Sequence, residues 1–384
     1  MHQALKFTPV IAALLLAACG GGGSDTTEPI TPPPPPPPQE TTKVELIAGA
    51  ATSVNYDLTD KEPGCADGAA IGAKLSPKTP AFARTANGNL LLAEWGYCDA
   101  RYHIRVIDPA ANSIKTVAAG AEWNVEEALT TFLKPIAIAV APSGDIYIGD
   151  SEIQPTISYG GMDFPDQRTI PDRGPGIWKL GVDGSIRVVA GVSLPRPIGK
   201  PAVDGVGAEA SFRYIGQMCY GSDGLIYLND YYMRTVSPDG TVTTFTNPDY
   251  ALRVVACGID GSVLARRWFS DPTKDDFYDP IAQKSIAKVQ PSLLYVSSSN
   301  PLLYFGPANP AALLHPSGYN GLPVVNFADG NYTPPVAKFS TAETPVDLTA
   351  TPPVIDAELA AVATGGMNFD LLTNQGVLRF TRKP

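Results

Sequence analysis

Three acidic residues recur at the same place in a repeated sequence pattern and are the first candidates for chemistry. The pattern is a short apolar run, a turn built on Asn-Gly, Ser-Gly or Asp-Gly, a second apolar run, and then Glu94, Asp150 or Asp230. Carboxylates that converge on one point can bind calcium or act in acid–base catalysis. A fourth, looser copy carries Arg266 at this position, which breaks a simple ring of carboxylates.

Other residue types that perform catalysis are scarce. Of the three histidines, His2 lies in the N-terminal segment, His103 in a predicted strand and His315 in a proline-rich segment, so a three-histidine zinc site is excluded. No Gly-x-Ser-x-Gly elbow, phosphate-binding loop or dinucleotide fingerprint stands in a fitting context. The acidic run 271–276 lacks EF-hand spacing and is interpreted as a solvated loop. We therefore expect no cofactor, with calcium as the open alternative.

The repeats themselves indicate what must position these residues. The pattern occurs at 81–94, 136–150 and 215–230, and more loosely at 252–267. Val-, Ile- and Tyr-rich runs of four to six residues bounded by turn dipeptides predict strands throughout. Each copy supplies four short strands in meander order, and four-stranded sheets repeated radially are typical of a β-propeller. The expected fold class is all-β.

Two further repeated sequence features carry a family resemblance. The links between repeats contain Asp-Gly at 65–76 and 202–212, and two repeats close on Ala-Gly. In these features the chain resembles the NHL-repeat family, well over 44–246, weakly over 252–288 and barely over 291–339. The resemblance implies a propeller in which the acid after the second strand orders the following turn by accepting backbone N–H bonds. It also implies that His103 occupies the usual basic position of the unit. These motifs are unspecific for function.

The two termini are expected to complete one blade. The run 44–49 is an isolated strand with the Ala-Gly ending, and 367–382 supplies about three strands before the chain ends. Their pairing would remove exposed sheet edges. Six blades are counted, and seven remains the alternative because 307–354 has room for an extra one. Two single helical turns, at 126–133 and 355–363, are the expected exceptions to the all-β prediction. The six blades begin near Ala81, Ile136, Ile215, Leu252, Leu293 and Met367.

The N-terminus resembles a bacterial lipoprotein signal. Residues 1–18 read as a signal peptide, and Leu-Ala-Ala-Cys ending at Cys19 resembles a lipobox, whose cysteine receives the palmitate-type acyl chains. The alternative is an ordinary secretory signal with a chance cysteine. Residues 19–42 form a Gly/Pro-rich linker that contains the proline run 32–38, and 43–384 form the propeller. We expect a lipid-anchored protein of the bacterial cell envelope. Gly20, directly after the cysteine, favours the outer membrane, and the sequence leaves open which face of that membrane carries the protein.

Charge and cysteines limit the partners and the compartment. The chain has a formal net charge of -10 and no Lys/Arg-rich run, so nucleic acid is not an expected partner. Four cysteines follow Cys19, an even number that fits disulfides in an exported protein. Cys65 with Cys98 is the preferred pair. Cys219 and Cys257 either pair or are two buried small hydrophobes, and both alternatives stay open.

Two features predict where a ligand would bind. Long loops at 151–176 and 268–284 lie on the face that carries the links between blades, and loops of this length are usually functional or disordered. Polar side chains also interrupt the innermost, channel-lining strands, where they either bind an anionic or carbonyl group or satisfy buried carbonyls. The candidate loop residues are Tyr159, Phe164, Trp268 and Tyr278, with Arg173 among their polar neighbours, and the candidate channel residues are Arg84, Gln217 and Arg253.

Three functions follow as hypotheses. The leading one is a membrane-tethered propeller that binds a protein, peptide or glycan through its loop-rich face without catalysis. A calcium-dependent hydrolase or lactonase with a site at the channel mouth is the first alternative. A structural envelope lipoprotein is the second.

Overall fold

Strands make up almost all the secondary structure of the part of the chain that the structure describes. The computed structural model describes residues 41–50, 63–76, 81–121, 130–150, 156–159, 162–165, 173–192, 202–288, 303–308, 311–313, 321–327, 335–339, 346–355, 358–373 and 376–383. Cys19, the proline run and His315 lie outside these residues. Among the described residues, no helix has the length and apolar character needed to cross a membrane.

Among the described residues, the strands follow one another along the chain with two 3-10 turns, Gly207–Glu209 and Pro272–Lys274. In chain order they are β1 (Thr41–Gly49), β2 (Gly68–Ala69), β3 (Ala81–Arg84), β4 (Leu90–Gly96), β5 (Arg101–Asp108), β6 (Ser113–Ala119), β7 (Pro135–Val140), β8 (Ile146–Asp150), β9 (Thr156–Tyr159), β10 (Met162–Pro165), β11 (Gly176–Leu180), β12 (Ile186–Gly191), β13 (Gly205–Val206), β14 (Met218–Tyr220), β15 (Ile226–Asp230), β16 (Tyr232–Val236), β17 (Thr241–Thr244), β18 (Tyr250–Cys257), β19 (Val263–Phe269), β20 (Asp276–Asp279), β21 (Lys284–Lys288), β22 (Leu303–Tyr304), β23 (Ala311–Leu313), β24 (Val324–Asn326), β25 (Lys338–Phe339), β26 (Val354–Ile355), β27 (Glu358–Gly365), β28 (Asn368–Thr373) and β29 (Gly376–Lys383).

Six antiparallel sheets form the six blades of a β-propeller, as predicted. Their strand orders are β2-β6-β5-β4-β3 for blade 1, β12-β11-β8-β7 for blade 2, β13-β17-β16-β15-β14 for blade 3, β18-β19-β20-β21 for blade 4, β22-β23-β24 for blade 5 and β1-β29-β28-β27 for blade 6. Two smaller pairs lie outside the blades: the hairpin β9–β10, and the parallel pair β25–β26. The described part of 307–354 therefore contains blade 5 strands and one short pair, not a seventh blade.

The tight turns between the first two strands of the blades define one face of the propeller, named the turn face here. Gly88, Gly144, Gly224 and Gly261 occupy the same place in four of these turns, with φ of 94°, 91°, 86° and 76°. Glycine adopts this left-handed backbone without the steric penalty that a Cβ brings. The opposite, loop-rich face carries the links between blades and the loops that follow their second strands.

Blade 6 joins the two ends of the described chain. β1 pairs with β29 from Thr41↔Lys383 to Gly49↔Gly376, which confirms the predicted closure. The innermost strand of this blade, β27, occupies most of the stretch where a helical turn was expected, so that expectation was wrong over its described part. Pairing with β28 satisfies the β27 backbone and overrides a weak local helical preference. Half of the other expected turn, 126–129, lies outside the described residues, and 130–133 contain no helix.

The core lies between neighbouring blades. Leu90, Leu91, Leu92 and Ala93 of β4 are all fully buried, because each blade packs against a neighbour on both of its faces. One cluster joins Leu91 and Ile104 of blade 1 to Ile148 and Trp178 of blade 2. Burying each such large side chain contributes about 1.5–3 kcal/mol.

Two disulfides connect segments that are distant in sequence. Cys65–Cys98 joins the link before blade 1 to the loop after its second strand, with the two Cα atoms 6.2 Å apart. Cys219–Cys257 joins the innermost strands of blades 3 and 4, with the Cα atoms 5.4 Å apart. The preferred first pairing is confirmed, and the open choice for the second pair is resolved as a disulfide.

Candidate functional site

The recurring acids are buried in ion pairs. The Glu94 carboxylate accepts hydrogen bonds from Arg105 Nη1 at 2.8 Å and from the backbone N–H of Ser76 at 2.7 Å. Both paired side chains, Glu94 and Arg105, are fully buried. Ser76 belongs to the link before the blade. The expectation that this acid orders the following turn was therefore wrong, since the acid fixes the preceding link instead.

Asp150 and Asp230 repeat this arrangement in blades 2 and 3. Asp150 pairs with Arg173 and accepts the N–H groups of Leu133 and Lys134 at 3.0 and 2.6 Å. Arg173 is completely buried, so its expected place on a recognition surface was wrong.

In blade 3, Asp230 Oδ2 accepts a hydrogen bond from Arg234 Nη1 at 2.8 Å, and Asp230 Oδ1 accepts the N–H groups of Arg213 and Tyr214. The three acids Glu94, Asp150 and Asp230 therefore each lie inside their own blade and form no common ring.

Burial dominates the electrostatics of two of these acids. It raises the pKa of the Glu94 carboxyl, with the Arg105 charge acting in the opposite direction. It also raises the pKa of Asp150, against the charge of Arg173. A carboxylate needs a compensating partner at such a site, and the arginine and the backbone N–H groups supply it.

The Asp-Gly links have a physical role that the sequence alone did not reveal. Asp204 Oδ1 accepts a hydrogen bond from Arg234 Nη2 at 2.7 Å, and the same carboxylate accepts Thr244 N–H at 2.9 Å. In blade 1, Asp67 likewise accepts Thr116 N–H at 2.8 Å and lies 3.5 Å from Arg105. The link acid thus ties the arginine to the outer strand of its blade.

His103 does not occupy the basic position that the family resemblance implied, because Arg105 does. The two ring nitrogens of His103 contact Gly64 O at 2.9 Å and Asp99 Oδ2 at 3.0 Å. Potential metal-ligand atoms of Cys65, Asp99 and His103 lie within 4.8 Å of one another. The Cys65 sulfur is bonded to Cys98 and is not a thiolate, so this group offers a metal only two ligands.

A cavity of about 650 Å³ occupies the channel where the innermost strands meet the turn face. The space exists because the inner strands carry small side chains where they converge, namely alanines on β3 and on or directly after β7. The alanines lining it include Ala81, Ala83, Ala137, Ala139 and Ala141. Arg84, Gln217 and both sulfur-bearing residues of the disulfide Cys219–Cys257 also line it.

Arg84 lines this cavity without a direct carboxylate partner among the described residues. Among the described residues it has no ion pair, and its Nε is buried without a hydrogen-bond partner. Burial lowers the pKa of Arg84, Asp370 acts against this, and Arg379 adds to it. Asp370 is engaged by Arg379, whose Nε and Nη2 donate to its two oxygens at 2.7 and 2.8 Å.

The predicted channel trio is only partly brought together. Arg253 does not line the cavity; its guanidinium lies 4.9 Å from the centroid of the Trp268 ring. Arg266 lies 4.2 Å from the same ring, and its Nη2 is 3.3 Å from Asp275. The structure therefore places Arg84 with Gln217, and Arg253 with Trp268.

The remaining loop candidates divide into buried and undescribed residues. Tyr278 is buried and lies 4.7 Å from the guanidinium of Arg267, whose Nε donates to Asp276 at 2.8 Å. It lies on β20 and is therefore not the exposed loop aromatic that the sequence predicted. Asp275 and Asp276 are also buried, so the run 271–276 is not simply a solvated loop. Tyr159 and Phe164 lie on β9 and β10, and their side chains are outside the described part of the chain.

Sequence reasoning missed one exposed cluster on the loop-rich face. Tyr214, Tyr231 and Tyr232 are 38%, 52% and 46% exposed, although large aromatic side chains usually bury most of their surface. The signal that was present is the Tyr-Tyr pair directly after Asp230.

Comparisons with known proteins identify the fold but no family. No family model matches the chain, and no curated protein sequence matches it. A protein of unknown function from Bacteroides thetaiotaomicron superposes with a TM-score of 0.50 at 14% identity, covering 90% of this chain and 77% of that one. An auxiliary nutrient binding protein from the same organism superposes with a TM-score of 0.51 at 11% identity, covering 90% and 78%.

Proposed function

We propose that this protein is an exported, lipid-tethered propeller that binds a small anionic ligand in its channel cavity without transforming it. The observation that carries the proposal is the Arg84 guanidinium, which makes no ion pair with the described residues and lines a cavity of about 650 Å³. Small-molecule sites typically enclose about 300–1,000 Å³ and combine apolar walls with a few polar groups.

The cavity wall indicates the ligand class. A guanidinium presents a planar set of donors that matches a carboxylate or phosphate. Gln217 adds an amide that donates and accepts hydrogen bonds, while Ala137, Ala139 and Met218 offer apolar contact. These groups fit a compact ligand with one anionic end and an apolar body.

The carboxylates that could serve catalysis are committed elsewhere. Glu94, Asp150 and Asp230 each neutralise a buried arginine. Asp260 is the one acid among the described residues that line the cavity, and it accepts the Ser262 N–H at 3.0 Å. This favours binding over the calcium-dependent hydrolase or lactonase alternative. The nutrient binding propeller from Bacteroides thetaiotaomicron supports a binding role as well, because it shares the fold.

The tether is part of the same proposal. Acylation of Cys19 would hold the propeller at the envelope membrane, and the proline run 32–38 would space it from the surface by roughly 20 Å, at about 3.1 Å per residue. Replacing Cys19→Ser should abolish incorporation of an alkyne-labelled fatty acid and release the protein from the membrane fraction. Unchanged labelling would contradict the tether.

The ligand site is tested by thermal unfolding of the purified protein with a panel of small carboxylates and phosphates. A ligand at a hundred times its dissociation constant stabilises the folded state by about 2.7 kcal/mol, which raises the melting temperature measurably. We expect at least one panel member to do so for the wild type, and this shift to be lost in Arg84→Ala.

Arg253→Ala is the matched control, because it removes a guanidinium that does not line the cavity, and it should keep the shift. Absence of any shift across the panel, or a shift retained in Arg84→Ala, contradicts the proposal. A shift produced by calcium and reversed by EDTA, together with lactone hydrolysis, would favour the enzyme alternative.

A further inference from the structure

The exposed tyrosines lie where two segments of blade 3 meet on the loop-rich face. Tyr214 belongs to the link before β14, and Tyr231 and Tyr232 follow the end of β15. Their exposed fractions are 38%, 52% and 46%. These three residues, with Arg213, are named the tyrosine platform here.

One buried carboxylate holds both segments in place. Asp230 directly precedes Tyr231, and its Oδ1 accepts the N–H groups of Arg213 and Tyr214 at 3.0 and 3.2 Å. Asp230 is itself fixed by Arg234, whose side chain is fully buried. The tyrosines therefore project from a rigid base, so a ligand would meet a surface that needs little ordering on binding.

The rings form a corner. The Tyr231 and Tyr232 ring centroids are 4.9 Å apart and the rings are nearly perpendicular, at 86°. The Arg213 guanidinium lies 5.7 Å from the Tyr231 centroid. Tyr231 also has φ of 60°, a left-handed backbone that is unfavourable for a residue with a bulky side chain. Such strain is concentrated at functional positions when the surroundings over-determine it.

We infer that the tyrosine platform binds a carbohydrate chain, with a sugar ring stacked on an exposed tyrosine face. A pyranose has flat C–H faces and hydroxyls at its edge, and tyrosine offers an apolar ring with a hydroxyl at its tip. A proline-rich peptide instead docks in a groove lined by aromatic rings. The perpendicular pair presents one ring face beside an edge, which fits a ring-shaped ligand better. This site lies on the opposite face from the channel cavity, and the inference does not depend on the proposed function.

The experiment is native affinity electrophoresis of the whole protein in gels that each contain one soluble polysaccharide: amylopectin, xyloglucan, mixed-linkage β-glucan or pectin. We expect at least one to retard the wild-type protein. Tyr232→Ala should weaken the apparent affinity at least tenfold, while Tyr232→Phe should keep most of it because the ring remains.

Tyr231→Gly separates binding from folding. Glycine tolerates the left-handed backbone, so this variant should keep the wild-type melting temperature while its retardation falls at least tenfold. Val182→Ala is the surface control, since Val182 is 76% exposed on a turn of blade 2 and should change nothing. Arg84→Ala should also be retarded like the wild type, which keeps this result distinct from the channel site.

Three outcomes overturn the inference. They are retardation by none of the four polysaccharides, unchanged retardation in both Tyr231→Gly and Tyr232→Ala, and tyrosine-dependent binding of a ten-residue polyproline peptide in place of polysaccharide. The last result would assign the platform to proline-rich peptides.

Discussion

Blades 1 to 3 and blade 4 all contain acid–arginine ion pairs near the end of the second strand, but the acid precedes the arginine in blades 1 to 3 and follows it in blade 4. In blade 3 the acid, Asp230, ends the second strand and the arginine, Arg234, lies on the third. In blade 4 the second strand carries Arg266 and Arg267, and the acids Asp275 and Asp276 stand at the start of the third. These four blades thus each contain a compensated pair at this place, whichever strand supplies the negative charge.

The two arrangements differ in burial. Both members of the Glu94–Arg105, Asp150–Arg173 and Asp230–Arg234 pairs are fully buried. The blade 4 arginines keep 17% and 18% of their side-chain surface exposed, and aromatic rings cover much of the rest. A charge with access to water tolerates loss of its partner better than one without.

The largest expected effect is the loss of an arginine in blade 3. Arg234→Met leaves Asp230 buried without its cation and removes donors from Ser211 O and Val203 O. Breaking a buried pair in this way costs about 3–5 kcal/mol. Arg267→Met in blade 4 should cost less, about 1–3 kcal/mol, because Arg267 is partly exposed and its removal admits water to the otherwise buried Asp276. Urea unfolding of both variants measures the difference.

A double variant checks the cause. Adding Asp230→Asn to Arg234→Met removes the unpaired charge and should restore part of the lost stability. Equal losses for Arg234→Met and Arg267→Met would show that burial does not distinguish the two regions.

An intermediate effect is expected from the disulfides. The sequence separations of 33 and 38 residues predict a similar loss of about 4 kcal/mol for each when the cysteines are replaced by serine. Only Cys219–Cys257 crosses from blade 3 to blade 4. Its removal should therefore lower the cooperativity of unfolding, seen as a smaller urea m-value than that of Cys65→Ser/Cys98→Ser, which removes a cross-link of similar span from blade 1. A smaller m-value for Cys65→Ser/Cys98→Ser than for Cys219→Ser/Cys257→Ser would contradict this role of the disulfide between blades 3 and 4.

The smallest effect concerns the link acid of blade 3. Burial acts to raise the pKa of Asp204, but hydrogen bonds from Thr244 and Arg234 outweigh it and lower that pKa. A lowered carboxyl pKa contributes stability above the ordinary value and loses it as pH falls through the folded-state value. Asp204→Asn should thus cost about 1 kcal/mol or less at neutral pH, given the partial exposure of Asp204.

This difference should shrink as pH falls below about 3.9, the ordinary pKa of aspartate. Thermal melts of wild type and Asp204→Asn across pH 3–7 test this. Asp67→Asn in blade 1 should have a smaller effect, because Arg105 lies 3.5 Å from Asp67, against 2.7 Å for Arg234 and Asp204. A pH-independent difference would mean that the amide replacement disturbs packing instead.

Much of the fold was predictable because its signals are local. Glycine turns, apolar runs and the isolated strand at 44–49 indicated the blades and their closure, since each signal lies within a few residues. The partners of the acids were not predictable. Glu94 and Arg105 are 11 residues apart whereas Asp230 and Arg234 are 4 apart, so no fixed spacing marks the pair. The N–H groups that complete each site come from the preceding link.

The candidate site was predictable only in part, because strand irregularities decide where a side chain points. The register of β18 with β19 shifts between Val254 and Ala256, so alternation counted from the turn does not give the side of Arg253. That residue lies against Trp268, while Arg84 and Gln217 share the cavity. Tyr278, which looked like a surface aromatic, is buried against Arg267.

By itself the sequence determined the strand class and the repeat, because turn chemistry and hydrophobic alternation act over short distances. It indicated six blades but left seven open, and the sheet topology decided between them. It also supplied the cysteines, whose pairing at 219 and 257 was settled only when neighbouring blades brought them together. The tertiary structure alone decided which charges are neutralised and which remain open. Arg84 and Arg234 are the same residue type. Only the surrounding blades make Arg234 a structural cation paired with Asp230 and leave Arg84 without an ion pair among the described residues.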